Sequence, residues 1–333
     1  MPPPAATAIA FAAFAAAGED PRISARLEKR VTLPLMPPQS VIPAPLQPGS
    51  RIRVIAPSGP FDRTLVLRGM AWLGKRYRVE FDWSIFERTG FLAGNDERRL
   101  GELNRALADP GLGAIIAGRG GYGLTRIAHQ VEYGPLLRYP KWIVGFSDIT
   151  ALHVEATALG IASIHGPNAA ALGRSDDWTQ QRFLRALETP LEKKRFEGLR
   201  TLRPGLARGL LAGGNLSLLF ACQATGRLRL PAGAILLLED VTESAYRVDR
   251  MLSALLAAGA LDGIGGVVIG DFSDCPDSQR VSVAEVLEER LSGLGVPVLS
   301  GLRFGHERYN EFVPLGVFAE LDADAGQLRL SPD

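Results

Sequence analysis

Apolar and polar positions alternate along this chain in a strand, turn, helix rhythm that starts near Arg51. RIRVIAPSG (51–59) is a short β-type run ending in a Pro-Ser-Gly turn, and VEFDWS (79–84) is a second candidate strand. DERRLGELNRALADP (96–110) places Leu100, Leu103 and Leu107 at helical spacing, and Pro110 ends it. GAIIAG (113–118), WIVGF (142–146) and IASIHGPN (161–168) are further buried strands, separated by the helical stretches LTRIAHQVE (124–132) and DITALHVEATALG (148–160). This alternation predicts an α/β fold with an open, mostly parallel sheet and flanking helices. In such a sheet ligands gather beyond the carboxyl ends of the strands. Three of those ends carry unusual residues: GRGGYG, GFSD and HGPN.

The pattern lapses over LEKKRFEGLRTLRPG (191–205) into charged, proline-bearing sequence, read as a linker spanning 190–206. Beyond it come the strand-like ARGLLAGG, the helix NLSLLFACQAT, the strand AILLLED, the helix ESAYRVDRMLSALLAAGAL, the strand GGVVIGDF, a helix over 282–292 and short β segments. Two α/β domains follow, 47–189 and 207–333. The first 46 residues differ. Ala5 to Ala17 is an alanine-rich run too short to span a bilayer, followed by the prolines 37, 38, 43, 45 and 48. A secretory signal places its basic residues ahead of the apolar stretch, whereas Arg22, Arg26, Lys29 and Arg30 come after it. The expectation is a weakly ordered tail on a cytoplasmic protein. Ala15-Ala16-Ala17 resembles a cleavage site and keeps a signal peptide open; Met36 is an alternative start.

Charge and cysteine content narrow the function classes. A net charge of +1 on 333 residues gives no electrostatic footprint for nucleic acid. Two cysteines make no disulfide framework, and neither has zinc-ligand spacing, so no metal is expected.

Gly118-x-Gly120-x-x-Gly123 has the form of a dinucleotide fingerprint. That site needs the fingerprint on the first strand of its unit and an acidic residue about twenty positions on. Here it follows at least the second strand, and the window around 138 reads LLRYPKW, without a carboxylate. No cofactor is expected. Adjacent glycines also let N–H groups face a ligand, so the loop is either a bare turn or a donor site for a developing oxyanion. In GFSDIT, Ser147 stands where a nucleophile elbow would put it, although Ile149 replaces the second glycine of G-x-S-x-G. The alternative is that Ser147 or Asp148 caps the next helix. Of four histidines, His129 reads as a surface or packing residue and His153 points away from the elbow. Spacing does not choose between His165 and His306 as a base. Glu239, ending a buried apolar run, is the better orienting acid, with Asp240 or Thr242 free to cap the following helix.

The order RGGYG, GFSDIT, HGP, GGNLSLL, LLLED, E..YRVDRML, GVVIGDF..C and GH…N…PLG, with FLAGNDERRLGELNRAL ahead of it, resembles the LD-carboxypeptidases. These include the muramoyl-tetrapeptide carboxypeptidases and the microcin-immunity amidases. The resemblance runs from about Arg51 to about Asp322. It implies a serine peptidase with Ser147 as nucleophile, Glu239 as orienting acid and His306 as base, and an active site in the cleft between the two domains. It places the oxyanion donors on the backbone of Asp148 and Gly121, with Gly120 as neighbouring candidate. The implied substrate is a small murein tetrapeptide losing its terminal D-alanine during cytoplasmic recycling, with no metal, cofactor, nucleic acid or membrane involved and a homodimer as one possible state. Arg119 is a candidate partner for the substrate carboxylate, His165 for the site wall, and Trp178 for the aromatic contact of the alternative amidase activity on peptide-nucleotide conjugates. Asn168 stands where the family commonly has methionine after HGP.

Overall fold

In the computed structural model, which describes residues 40–190 and 192–330, the apolar runs become the centre strands of two sheets. The strands are β1 (Arg51–Ile55), β2 (Arg78–Glu80), β3 (Ala114–Ala117), β4 (Trp142–Gly145), β5 (Ser163–His165), β6 (Lys194–Phe196), β7 (Arg200–Arg203), β8 (Leu206–Asn215), β9 (Ile235–Val241), β10 (Gly266–Ser273), β11 (Val298–Ser300), β12 (Val313–Leu315), β13 (Phe318–Asp322) and β14 (Gln327–Leu330). The first sheet has the order β12-β5-β4-β3-β1-β2. Its strands run parallel except β12, which is antiparallel to β5. β3 and β4 are buried at every position because helices cover both faces, which is why they read as unbroken apolar runs. The strand order reverses between β1 and β3, and at that switch point the Gly59 N–H donates to the Gly120 carbonyl at 3.1 Å.

The second sheet has the order β6-β14-β13-β8-β9-β10-β11-β7, with a parallel centre β8 to β11 and antiparallel flanks. Its two edges are β6 and β7, which lie within the segment read from sequence as a linker. Short, charged strands such as KRF and RTLR are what a sheet edge tolerates, and the same composition imitates a loop. The short strand β12 also crosses the expected division at 207, since it pairs with β5 of the first sheet. The chain between β11 and β12 therefore passes over the strand ends of the first sheet.

The sheets meet where the helix Thr150–Ala158 packs on β8. The Thr150 hydroxyl accepts the Asn215 N–H at 3.1 Å, and a Cβ on Gly214 would lie 2.7 Å from that hydroxyl oxygen. Glycine there lets the second sheet approach the helix that follows Ser147. Both apolar clusters draw on both sheets, one containing Ile143 with Leu236, the other Val144 with Leu237.

Residues 40–46, expected to belong to the tail, are packed. Val41 forms a parallel bridge with Ile161, Leu46 is buried, and the Trp142 indole N–H donates to the Ala44 carbonyl at 3.1 Å. The rest of the expected tail lies outside the described residues. Among the described residues, no helix is long and apolar enough to cross a membrane.

His153 braces the end of β4 from inside. It is fully buried, with Nε2 2.9 Å from the Gly145 carbonyl and Nδ1 2.9 Å from the Ser163 hydroxyl. Burial pushes its pKa down to about 3. The unfolded chain binds this proton below about 6.5 and the folded one does not, so the His153 contribution is full above that pH and lost as pH falls toward 3. The loss has a slope of at most about 1.4 kcal/mol per pH unit. Urea unfolding of a His153→Gln variant should accordingly show a flatter acid limb between pH 6.5 and 4.5 than wild type. Equal limbs would mean that the buried imidazole is already protonated in the native state.

Candidate active site

Ser147 lies at the turn leaving β4, with φ at +64°, a conformation that costs a side chain free energy and recurs at nucleophile turns. The serine is half-buried. A short 3-10 turn, Ser147–Ile149, joins it to the helix Thr150–Ala158. The glycine loop lies against it so closely that a Cβ on Gly120 would sit 2.7 Å from the Ser147 Cβ, 3.0 Å from its Oγ and 3.1 Å from the Phe146 carbonyl oxygen. Gly120→Ala should therefore push the loop off the serine. Activity should fall by about 10²- to 10³-fold, with a stability cost of about 1–3 kcal/mol from overpacking. Steady-state kinetics and urea titration measure the two effects; an alanine variant with wild-type kcat would show that the contact does not matter.

Asp148 does not cap its own helix. Its fully buried carboxylate reaches across to the glycine loop, where Oδ2 accepts the Leu124 N–H at 2.8 Å. Burial pushes its pKa up to about 6, and the Ser58 hydroxyl, that N–H and Arg99 hold it back from rising further. The helix after the loop is shorter than its sequence pattern predicted. It covers Leu124–Ile127 and gives way to a 3-10 turn, Ala128–Gln130. Its N-terminus, where a dinucleotide fingerprint would hold a pyrophosphate, already faces a carboxylate. A second anion there would be repelled.

A buried charged network backs the loop. Arg99, fully buried, donates to the Pro57 and Gly123 carbonyls at 2.5 and 2.8 Å and to Asp96 at 2.6 Å. Glu102 accepts the Ala56 N–H at 2.9 Å and pairs with Arg98 at 3.0 Å. The helix Asp96–Ala108 thereby ties the turn after β1 to the glycine loop.

Glu239 and His306, the acid and base that the family resemblance implies, come from the second half of the chain. Glu239 in β9 is fully buried, and its Oε2 lies 2.7 Å from Nδ1 of His306. His306 follows Gly305, whose N–H donates to the Asn310 side-chain carbonyl at 3.2 Å. Its ring stands edge-on to Phe146, centroids 4.8 Å apart, which puts it beside the residue preceding Ser147. No hydrogen bond joins Ser147 Oγ to the imidazole. In unliganded sites such bonds are often long and tighten only when substrate is held.

His165 is placed differently from its expected position on the site wall. It is fully buried, stacked on Phe304 with centroids 3.9 Å apart, and its Nε2 lies 3.8 Å from the other Glu239 oxygen. Glu239 thus lies between two imidazoles. Burial alone would raise its pKa, but His165 and His306 more than offset this and hold the carboxyl below its ordinary range. Asp240, expected to cap the helix after it, instead serves an earlier one, accepting the Ser217 N–H at 2.8 Å and an Asn215 side-chain N–H at 3.0 Å.

Beside His306 a cleft of about 400 Å³ opens, lined by Phe146, Arg174, Asp176, Glu307 and Arg308 among others. Arg119 is exposed on the glycine loop and donates to the Pro60 carbonyl at 2.6 Å; it is not part of that lining. Trp178 lies next to the cleft residues Asp176 and Thr179, but one ring face is covered by the Arg182 guanidinium at 3.8 Å and Tyr309 packs against the ring at 5.4 Å. Sequence reading did not single out Arg174, which carries no periodic or motif signal.

Comparison with known proteins agrees with this architecture. Residues 52–166 match the LD-carboxypeptidase N-terminal domain and residues 208–321 the LD-carboxypeptidase C-terminal domain. A Streptomyces coelicolor protein, named only provisionally as a carboxypeptidase, is 42% identical over 87% of this chain and 96% of its own length. The murein tetrapeptide carboxypeptidase of Pseudomonas aeruginosa is 34% identical over 82% of this chain and 94% of its own. A crystal structure of muramoyltetrapeptide carboxypeptidase from Oxalobacter formigenes superposes with a TM-score of 0.76 at 30% identity, covering 84% of this chain and 98% of that one. With both family domains matched in order over most of the two sheets, the chain belongs to the LD-carboxypeptidase family.

Proposed function

We propose that the protein is a serine carboxypeptidase that hydrolyses the L,D peptide bond of murein tetrapeptides and releases terminal D-alanine. The observation that carries this reading is the 2.7 Å contact of His306 Nδ1 with the buried Glu239, in an imidazole that stands beside Phe146, the residue preceding Ser147. Glu239 fixes the tautomer in which Nδ1 carries the proton and Nε2 is the base. Nε2 takes the Ser147 proton as Oγ attacks the scissile carbonyl. Backbone N–H groups of Asp148 and Gly121, or of Gly120 beside it, receive the oxyanion. The imidazolium then protonates the departing amine of D-alanine, leaving an acyl-enzyme that water, deprotonated by the same nitrogen, hydrolyses. No step requires a metal or a cofactor. The relatives named as murein peptide carboxypeptidases support the substrate class. Recycling of such peptides places the reaction in the cytoplasm.

The test is incubation with a muropeptide tetrapeptide followed by chiral chromatography. Free D-alanine and a tripeptide are expected from wild type. Intact tetrapeptide beside a cleaved peptide-nucleotide conjugate would assign the amidase activity instead.

A further inference from the structure

Removing one residue from the end of a peptide restricts where its terminal carboxylate can bind. In a terminal amino acid a single Cα separates the scissile nitrogen from the carboxylate. A receptor for that carboxylate must therefore open onto the cleft of the group that protonates the nitrogen, here His306. The cations lining this cleft are Arg174 and Arg308. Arg308 is engaged, 3.7 Å from the Asp176 carboxylate and 5.5 Å over the Tyr309 ring. Arg174 is exposed, and its guanidinium forms no hydrogen bond or ion pair among the described residues.

The backbone that carries Arg174 is held firmly. Asn168, directly after the HGP turn, caps the short helix Ala169–Leu172 by accepting the Ala171 N–H at 3.0 Å. The Arg174 and Ser175 N–H groups then close onto the Ala171 and Leu172 carbonyls at 3.1 and 3.2 Å. The same cleft contains Asp176, whose carboxylate also caps the helix Asp177–Glu188, and the exposed Glu307. These anions would oppose a substrate carboxylate unless a cation met it. A guanidinium matches a carboxylate with two parallel hydrogen bonds, which an ammonium does not.

We propose that Arg174 is the receptor for the C-terminal carboxylate of the substrate and the residue that makes this site a carboxypeptidase. The inference rests on the function proposed above and adds the specificity determinant which that reading lacked. Arg119, whose guanidinium already donates to the Pro60 carbonyl at 2.6 Å, is less free than Arg174 for this role.

The experiment compares a murein tetrapeptide ending in free D-alanine with the same peptide ending in D-alaninamide, using wild type, Arg174→Gln and Arg174→Lys. Wild type should prefer the free acid by about 10- to 100-fold in kcat/KM, the value of one charge-assisted pair. In Arg174→Gln this preference should fall toward one, chiefly through a higher KM for the acid, and Arg174→Lys should recover part of it. The acid-to-amide ratio is measured within each variant, so a general loss of folded enzyme does not move it. Wild-type cleavage with an unchanged ratio in Arg174→Gln overturns this inference alone. If wild type cleaves neither peptide, the proposed function fails and the inference with it.

Discussion

Ser147→Ala is expected to slow D-alanine release by about 10⁴- to 10⁶-fold while the thermal midpoint stays within a few degrees of wild type. The activity loss follows from removing the only atom that attacks the scissile carbonyl. What remains is the rate supplied by the oxyanion donors and by substrate positioning. Stability should barely change because the Ser147 side chain makes no hydrogen bond, and alanine keeps both the Cβ and the backbone at φ +64°. Tetrapeptide binding should persist, since neither the His306 cleft nor the glycine loop is altered. Steady-state kinetics, thermal melting and calorimetric titration read these three quantities separately. A variant that keeps even a tenth of wild-type turnover would remove Ser147 from the mechanism.

Glu239→Gln should cost about 10³- to 10⁴-fold in kcat with only a small change in KM. The carboxylate holds the His306 Nδ1 proton at 2.7 Å, and a glutamine amide offers either an oxygen or an N–H at that position. Presenting the N–H selects the tautomer with Nε2 protonated, which is no base for Ser147. The imidazolium formed during attack also loses the negative charge that supports it. The strand itself should survive, because β9 is held to β8 and β10 by main-chain pairing. His165, with no hydrogen bond of its own and 3.8 Å from the other carboxylate oxygen, has space to meet the amide. A drop in kcat with an unchanged melting curve is the expected signature, whereas loss of both together would mean that Glu239 matters mainly for packing.

Much of the fold was legible because burial writes itself into the pattern. β3, β4 and β9 are apolar runs covered on both faces, and their ends carried the glycine loop, Ser147 and Glu239. What the pattern hid has physical causes. β12 is three residues long, with no periodicity to detect, yet it brings the His306 loop over the first sheet. In the helix Asp96–Ala108 the apolar spacing placed Leu100 on the buried face. The core side instead takes Arg99 and Glu102 with Leu103, Ala106 and Leu107, since these charges are satisfied by the carbonyls and N–H groups of two loops. Pattern reading assigns charge to solvent unless a partner is visible, and these partners are 24 to 46 residues away in sequence.

The choice between His165 and His306 failed for a similar reason. Both imidazoles approach the same carboxylate, one at each oxygen, and burial and distance separate them, 2.7 Å for His306 against 3.8 Å for His165. His165 is sealed behind Phe304, whereas His306 opens onto the cleft. The side chain of Asp148 illustrates the opposite error. A residue for which a helix cap was one of two readings directs its carboxylate to the glycine loop, so the Ser147 turn and that loop are held together by a contact that no local pattern announces.

The most direct measurement is a crystal structure with a boronic acid analogue of the substrate, which forms a tetrahedral adduct on an activated hydroxyl. The expected result is a covalent bond to Ser147 Oγ, one boronate oxygen within hydrogen-bond reach of the Asp148 and Gly121 N–H groups, and His306 Nε2 in contact with the adduct. A boronate attached elsewhere, or bound at 147 with the imidazole turned out of reach, would contradict it.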